Sequence, residues 1–481
     1  MSLSKNKTYY IHACISIAFM FGFGFLPPFG EITELGMRVL GVFIGVLWGW
    51  IFIEMIWPSI LALIALGMTG YTTVSGAFSS GFGNVTLLTV FLSFLFTALL
   101  DSCKVTDYLA SKFLSAKIII GKPWAMITMF FVADFILSVF ISPVATMFML
   151  WATFIKIAEL VGYEKGDKLV GFMIAGIVFV GNCSSMVLPF KPTPVIFTGF
   201  LFSTTGLTPE YLPYALFVAI MTVVHIALLI LVGKFILKLD VSKLGGEEDR
   251  FGYLRGAKAG MEQKIGIAFV AVLITVLFLP SFLPKNWAIT GLLSNWGLIG
   301  TIGLILVVST ILRKPDGESF CSLKNLCAGV GWDLLWLLIA TFPIAGALNA
   351  PECGIMATIL AFVTPIMSAI PPMLLVLICM LILGLAAQVI SGVVLAAMFI
   401  PLLSPLYGTM GGNPMAMFFA VYFVLQLALA TPGASMYGAM IHGHEWVAKK
   451  DAYSMGILFF IITFLAMSVI GIPLVELMFP M

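Results

Sequence analysis

Charged residues are scarce in this sequence of 481 residues. Asp, Glu, Lys and Arg make up 10% of the chain, whereas hydrophobic residues make up 61% and the mean hydropathy is +1.14. Ordinary soluble domains carry roughly 25% charged residues, so water cannot be the main solvent for this chain. The formal net charge is only +2, and no basic patch is present that would suit a nucleic acid partner.

Cysteine and histidine are also few. The seven cysteines are scattered and form no C-x-x-C pair, so we expect neither a disulfide framework nor a zinc site. His442 and His444 lie two residues apart and would not share a helix face. No catalytic cluster and no docking domain can be recognised, which argues against an enzyme. A membrane subunit of a larger complex and a channel are less favoured alternatives.

Long apolar runs are what the sequence does contain. A bilayer core is crossed by about 20 apolar residues, and the chain offers many such stretches. Of the 24 Lys and Arg residues, 21 fall into six clusters, at residues 5–7, 104–122, 156–168, 234–264, 313–324 and 449–450. The positive-inside rule places these clusters in the cytoplasm. We therefore expect a multi-pass protein of the cell (plasma or inner) membrane, embedded in the lipid bilayer, with a cytoplasmic N-terminus.

The same rule predicts an all-α polytopic fold with about 11 transmembrane helices and two re-entrant hairpins. The hairpins are expected near residues 123–155 and 355–408, because each long apolar stretch there is flanked by loops on one side of the membrane. The predicted spans lie near residues 10–29, 38–57, 59–76, 84–101, 169–199, 211–233, 265–283, 287–312, 331–350, 414–440 and 454–478.

The hairpins enter from opposite sides, which indicates two inverted repeats. The first covers residues 1–240, a cytoplasmic linker covers 241–263, and the second repeat covers 264–481. Each hairpin is predicted to turn at a serine followed by a helix breaker, at Ser142-Pro143 and at Ser391-Gly392.

A broken helix follows each hairpin in the predicted repeats. Prolines interrupt the first near residues 169–199, and Thr431-Pro432-Gly433 interrupts the second near 414–440. Paired broken helices in inverted repeats are typical of the binding site of a secondary transporter. Exposed amides at the helix N-termini there attract anions, and freed carbonyls attract cations.

These segments resemble the divalent anion:sodium symporter family of the ion transporter superfamily. The similarity covers nearly the whole chain. It is carried by Trp50-x-x-x-Glu54 with Pro58, by Trp332-Asp333, by the Leu-Pro-x-x-x-Thr-Pro of residues 188–194, by Thr431-Pro432, and by Lys450-Asp451 with Gly456.

The resemblance implies a secondary active transporter of small anions, above all di- or tricarboxylates, that works as a homodimer by elevator-type alternating access. Na⁺ would be the coupling ion, and no other cofactor is expected. Sodium-independent exchange is a further option, and a sodium/proton or arsenite-type carrier of the same superfamily is the alternative.

The family carries Ser-Asn-Thr at each hairpin tip, whereas this chain has Ser-Pro-Val and Ser-Gly-Val. This departure makes the chain an atypical member. The expected substrate-binding residues are Ser142, Pro143, Val144, Ser391, Gly392, Val393, Lys191, Thr193, Thr431 and Pro432. The expected cation-binding residues are Ser142, Asn182, Ser391 and Thr431.

Lys191 is the one basic residue deep within a predicted span, where an isolated lysine costs roughly 2.5–3.5 kcal/mol. Its ammonium could pair with an anionic substrate, replace a sodium ion, snorkel toward the membrane surface, or pair structurally with a carboxylate. Gln388, one helical turn before the second tip, could face the site or form a bond between helices. We expect Asp134 to begin the first hairpin at the cytoplasmic edge, with proton coupling through Asp134 or Glu54 as a less favoured alternative.

Overall fold

The computed structural model describes residues 2–103, 121–245, 260–284, 286–313, 319–367 and 371–480. These residues form helices and one isolated β-bridge, between Arg313 and Ser319. Twelve of the described helices are long and apolar enough to cross a membrane. The predicted all-α polytopic fold is therefore confirmed. Most of the predicted linker, residues 246–259 of 241–263, lies outside the described residues.

Ten α-helices lie in the described part of the predicted first repeat. Side-chain caps begin several of them: the oxygens of Thr33, Thr73 and Asn84 accept backbone amide hydrogens at the starts of the second, fourth and fifth. The helices are α1 (Ser2–Gly22), α2 (Glu34–Phe52), α3 (Ile56–Met68), α4 (Val74–Phe82), α5 (Val85–Ser102), α6 (Pro123–Phe140), α7 (Pro143–Leu160), α8 (Lys168–Ser185), α9 (Pro192–Thr205) and α10 (Tyr211–Leu231).

Eleven α-helices lie in the described part of the predicted second repeat or begin just before it. Proline occupies the first turn of three of them, where its missing amide costs no hydrogen bond. The helices are α11 (Met261–Phe278), α12 (Ala288–Ile311), α13 (Leu323–Leu326), α14 (Trp332–Asn349), α15 (Ile355–Met367), α16 (Pro372–Ala387), α17 (Gly392–Thr409), α18 (Pro414–Gln426), α19 (Met436–Gly443), α20 (Lys449–Ala466) and α21 (Ile472–Met478).

Two predicted segments differ from the structure in their limits. The predicted third span, 59–76, is two helices, because Gly70 turns the chain in the left-handed region (φ +94°) and Thr73 caps a new helix. The predicted second hairpin, 355–408, contains an additional helix, α15, so that the hairpin proper is formed by α16 and α17.

Each hairpin is a pair of helices joined by a short turn. In the first hairpin, α6 and α7 have 18 residues each, about 27 Å at 1.5 Å per residue. Ile141 and Ser142 between them have extended backbone angles. In the second hairpin, α16 and α17 are separated by residues 388–391. The turns therefore fall at the two serines, as the sequence predicts.

The helices that precede the two breaks, α8 and α18, are almost entirely buried. Residues 186–191 interrupt the first broken helix, between α8 and α9, and we call them the first break. Residues 427–435 interrupt the second broken helix, between α18 and α19, and form the second break. Every residue of the first break is buried, whereas Pro432 and Gly433 of the second are exposed. The two repeats therefore differ in how far their breaks are open.

Candidate anion-binding site

The two hairpin tips end in serines whose hydroxyls are not used as helix caps. Ser142 occupies the N-cap of α7 and Ser391 the N-cap of α17, yet neither side chain accepts a hydrogen bond from its helix. Both residues are partly exposed. A serine at this position usually satisfies one of the free amides of the first turn. Here those amides and both hydroxyls remain available to a ligand, and the positive end of each helix dipole adds to the attraction for an anion.

Lys191, the last residue of the first break, is 6% exposed. Its Nζ donates to the backbone oxygen of Ile141 at 2.6 Å and also to that of Ser138. Both oxygens belong to the C-terminal end of α6, where carbonyls lack partners within the helix. Among the described residues the one salt bridge is Lys165–Glu445, so Lys191 is held by carbonyl dipoles rather than by a carboxylate at contact distance.

The second repeat uses neutral groups where the first uses Lys191. Thr431 precedes Pro432 as Lys191 precedes Pro192, and its hydroxyl donates to the backbone oxygen of Gln388. The Gln388 side-chain oxygen accepts the amides of Leu429 (3.2 Å) and Ala430 (2.9 Å). Gln388 therefore holds the second hairpin to the second break. Of the two roles considered for it, the structure shows the structural one.

A pair of amide side chains connects the two broken helices. The Asn182 nitrogen, on α8, donates to the backbone oxygen of Gln426 at 2.8 Å, and the Gln426 side chain donates back to the Asn182 oxygen at 2.8 Å. Gln426 ends α18, so the first of these bonds also satisfies a carbonyl at a helix end. Asn182, which the sequence suggests as a cation ligand, is thus engaged in this reciprocal bridge.

Two glycines allow close backbone approach around the second break. A Cβ on Gly392, the first residue of α17, would lie 2.1 Å from the Leu425 backbone oxygen. A Cβ on Gly456 of α20 would lie 2.2 Å from the Ala430 Cα. Any side chain at either position would force the neighbouring backbone apart. Close packing at the second break thus accounts physically for Gly456, which belongs to the motif that carries the family resemblance.

The other predicted site residues lie at the same tips and breaks. Pro143, Val144 and Val393 are partly exposed in the first turns of α7 and α17, and Thr193 is partly buried in the first turn of α9. None of the residues expected to bind substrate or cation lines the cavity of about 810 Å³ formed between α5, α9, α11 and α12. This cavity touches the first break only at Pro189.

Two acidic residues lie nearer to the first tip than the sequence suggests. Asp134 lies in the middle of α6, is fully buried, and accepts the Ser138 hydroxyl at 2.8 Å, so the prediction that it begins the hairpin is wrong. Asp101, near the end of α5, interacts with the backbone amide of Ser142 and attracts Lys191 electrostatically. Sequence spacing could not reveal this proximity, because 40 residues separate Asp101 from Ser142.

Twelve helices of the described part of the chain are long and apolar enough to span a membrane, and the two helical hairpins and two broken helices lie among and beside them. The family model described as CitMHS, citrate transporter, matches residues 43–314. The chain belongs to this family.

The fold is similar to that of a solved transporter. The chain superimposes with a TM-score of 0.59 and 14% sequence identity on the YdaH transporter of Alcanivorax borkumensis, whose crystal structure is described as revealing an unusual topology. The match covers 84% of this chain and 88% of the other. At this identity the likeness shows the fold alone. No curated protein matches the sequence.

Proposed function

We propose that this protein is a secondary active transporter that binds a small di- or tricarboxylate between its two hairpin tips. The observation that carries the proposal is the pair of uncapped serines, Ser142 and Ser391, each at the N-terminus of the second helix of its hairpin. Two such ends supply hydroxyl and amide donors and two positive dipole ends to one anion. The family description, citrate transporter, supports the choice of substrate class.

Recognition of the carboxylates in this proposal depends on backbone more than on side chains. The two residues that follow each tip serine offer no side-chain donor; they are Pro143 and Val144 at the first tip and Gly392 and Val393 at the second. The first-turn amides of α7 and α17 therefore provide the hydrogen bonds. Thr193, in the first turn of α9, adds a hydroxyl. Thr431 and Pro432 shape the open second break on the other side of the anion.

Alternating access by an elevator-type movement is supported by the hydrogen bonds that join the two hairpins and the two broken helices to each other. Lys191 ties the first hairpin to the first break, and Gln388 ties the second hairpin to the second break. Asn182 and Gln426 join the two broken helices. Hairpins and breaks are therefore linked into one unit, which can move as a body against the other helices.

The proposal includes a homodimer in the cell membrane with a cytoplasmic N-terminus. The positions of the basic clusters support this orientation. The family resemblance supports the dimer. Apolar residues are exposed along α1, α10, α11 and α12, which suits contact with lipid.

Uptake into proteoliposomes tests this function. Purified protein would be reconstituted and offered radiolabelled citrate, succinate, 2-oxoglutarate and sulfate, with Na⁺, a proton gradient or internal substrate varied separately. We expect saturable uptake of at least one di- or tricarboxylate, inhibited by the unlabelled compound. Protein-free vesicles give the background. Absence of carboxylate flux under every gradient would refute the proposal.

A further inference from the structure

The ammonium group of Lys191 lies where a helix end would otherwise attract a cation. Ser138 and Ile141, whose backbone oxygens it binds, are at the C-terminal end of α6, the negative pole of the helix dipole. Unwound carbonyls and half-helix C-termini at such places are the groups that coordinate coupling cations in transporters. Lys191 presents its charge to them from within the chain.

The surroundings of Lys191 suit a cation held by dipoles. The side chain is 6% exposed, and the carboxylate that attracts it, Asp101, forms no salt bridge with it within the described residues. Ser142, between Ile141 and α7, directs its amide to Asp101 instead of back to the Ser138 carbonyl. That carbonyl is thereby left free for Lys191.

The second repeat shows that the tip can be built without a charge. Thr431, which like Lys191 directly precedes a proline, donates its hydroxyl to the backbone oxygen of Gln388 in the second hairpin. Together with the two amides that the Gln388 side chain accepts, this neutral hydroxyl holds the second hairpin to its break without a charge. The positive charge at the first tip exceeds what this structural task requires.

We propose that Lys191 is a tethered cation that occupies a monovalent cation site at the first hairpin, so that this site needs no bound Na⁺. The proposal rests on the transport function proposed above and specifies its coupling. The fixed ammonium offsets the charge of the anion at the neighbouring tip, and Asp101 is its counter-charge. Removing the ammonium while leaving space for an ion should convert the tip into a Na⁺ site.

The test compares Lys191→Ala with Lys191→Met. Alanine vacates the space beside the Ser138 and Ile141 carbonyls, whereas methionine fills it with an uncharged chain of similar length. Thermal unfolding of each purified protein in detergent would be followed in NaCl and in N-methyl-D-glucamine chloride at equal ionic strength. A cation that binds only the folded state raises the midpoint progressively with its concentration.

We expect Na⁺ to stabilise Lys191→Ala in a saturable way and to leave the wild type and Lys191→Met unchanged. A wild type that is itself stabilised specifically by Na⁺ at this tip, with the effect retained in Lys191→Met, would overturn the proposal. So would a folded Lys191→Ala without any Na⁺ response. If alanine prevents folding, Lys191→Thr, which copies Thr431, replaces it under the same criteria.

This readout is independent of transport. Failure of the wild type to move any carboxylate would refute the proposed function while leaving the Na⁺ response of the variants measurable. Where transport is found, Lys191→Ala should become dependent on Na⁺ and the wild type should not.

Discussion

Asn182 and Gln426 form an amide bridge between the two broken helices, and replacing Asn182 should destabilise the protein more than replacing Gln426. Asn182→Ala removes two hydrogen bonds and leaves the Gln426 backbone oxygen and side-chain nitrogen without these partners. Gln426→Ala removes one, because the bond from Asn182 to the backbone oxygen survives. A hydrogen bond contributes about 0.5–1.5 kcal/mol, and those between membrane helices average about 0.6 kcal/mol.

From these values we expect a loss of about 1–2 kcal/mol for Asn182→Ala and about 0.5–1 kcal/mol for Gln426→Ala. The two changes share one bond, so the double variant should cost less than the sum of the single ones. Reversible unfolding in mixed micelles would supply the free energies. Ser184→Ala is the matched control, because its buried hydroxyl bonds only to the Val180 carbonyl of its own helix.

Equal losses for the two single variants, or strictly additive effects, would refute the assignment of a reciprocal bridge. A larger loss for Gln426→Ala than for Asn182→Ala would do the same. In either case the two broken helices would not be joined at this point, and the argument that they move as one unit would lose its main support.

Three further predictions concern the tips and a neighbouring loop. Replacing either Ser142 or Ser391 by alanine should raise the apparent Km for the carboxylate roughly 3- to 10-fold, the effect of losing one hydrogen bond of about 1 kcal/mol; an unchanged Km in both would contradict their role. Gly392→Ala should strongly reduce transport and stability. The control Gly433→Ala should be tolerated, because the nearest atom lies 3.5 Å from the added Cβ. If the protein tolerates both substitutions equally, the close approach at Gly392 is not a constraint. Burial lowers the pKa of His444, so the folded protein favours the neutral ring, and the stability of the protein should fall as the pH drops below about 6.5, the ordinary pKa of histidine. The loss of stability between pH 7.5 and 5.5 should be smaller in His444→Gln than in the wild type. An equal loss in the two proteins would contradict this role of His444.

Hydrophobic runs and helix breakers were sufficient to predict the class of fold. The turns at Ser142-Pro143 and Ser391-Gly392 and the two interrupted helices follow from local chemistry, since proline lacks an amide and glycine permits unusual backbone angles. The limits of single helices were harder to predict. Nothing in the hydropathy of residues 59–76 indicates that Gly70 ends one helix and Thr73 begins another.

Partners distant in sequence could not be predicted. Lys191 was expected to pair with an anionic substrate, replace a sodium ion, snorkel, or pair with a carboxylate. The structure shows it on two carbonyls of a helix end about 50 residues away. Gln388 and Asn182 were recognised as polar residues near the site, but their bonds to the second break and to Gln426 depend on how the repeats pack. Such contacts are set by tertiary structure and leave no periodic signal in one sequence.

Counterflow in proteoliposomes tests the central claim most directly. Vesicles loaded with unlabelled citrate would be diluted into a trace of labelled citrate, with equal Na⁺ and equal pH on both sides, and the experiment repeated with succinate. A carrier with alternating access should produce a transient accumulation of label inside the vesicles above its external concentration. Entry that only equilibrates, as through a channel, or no entry of any carboxylate, would contradict the account.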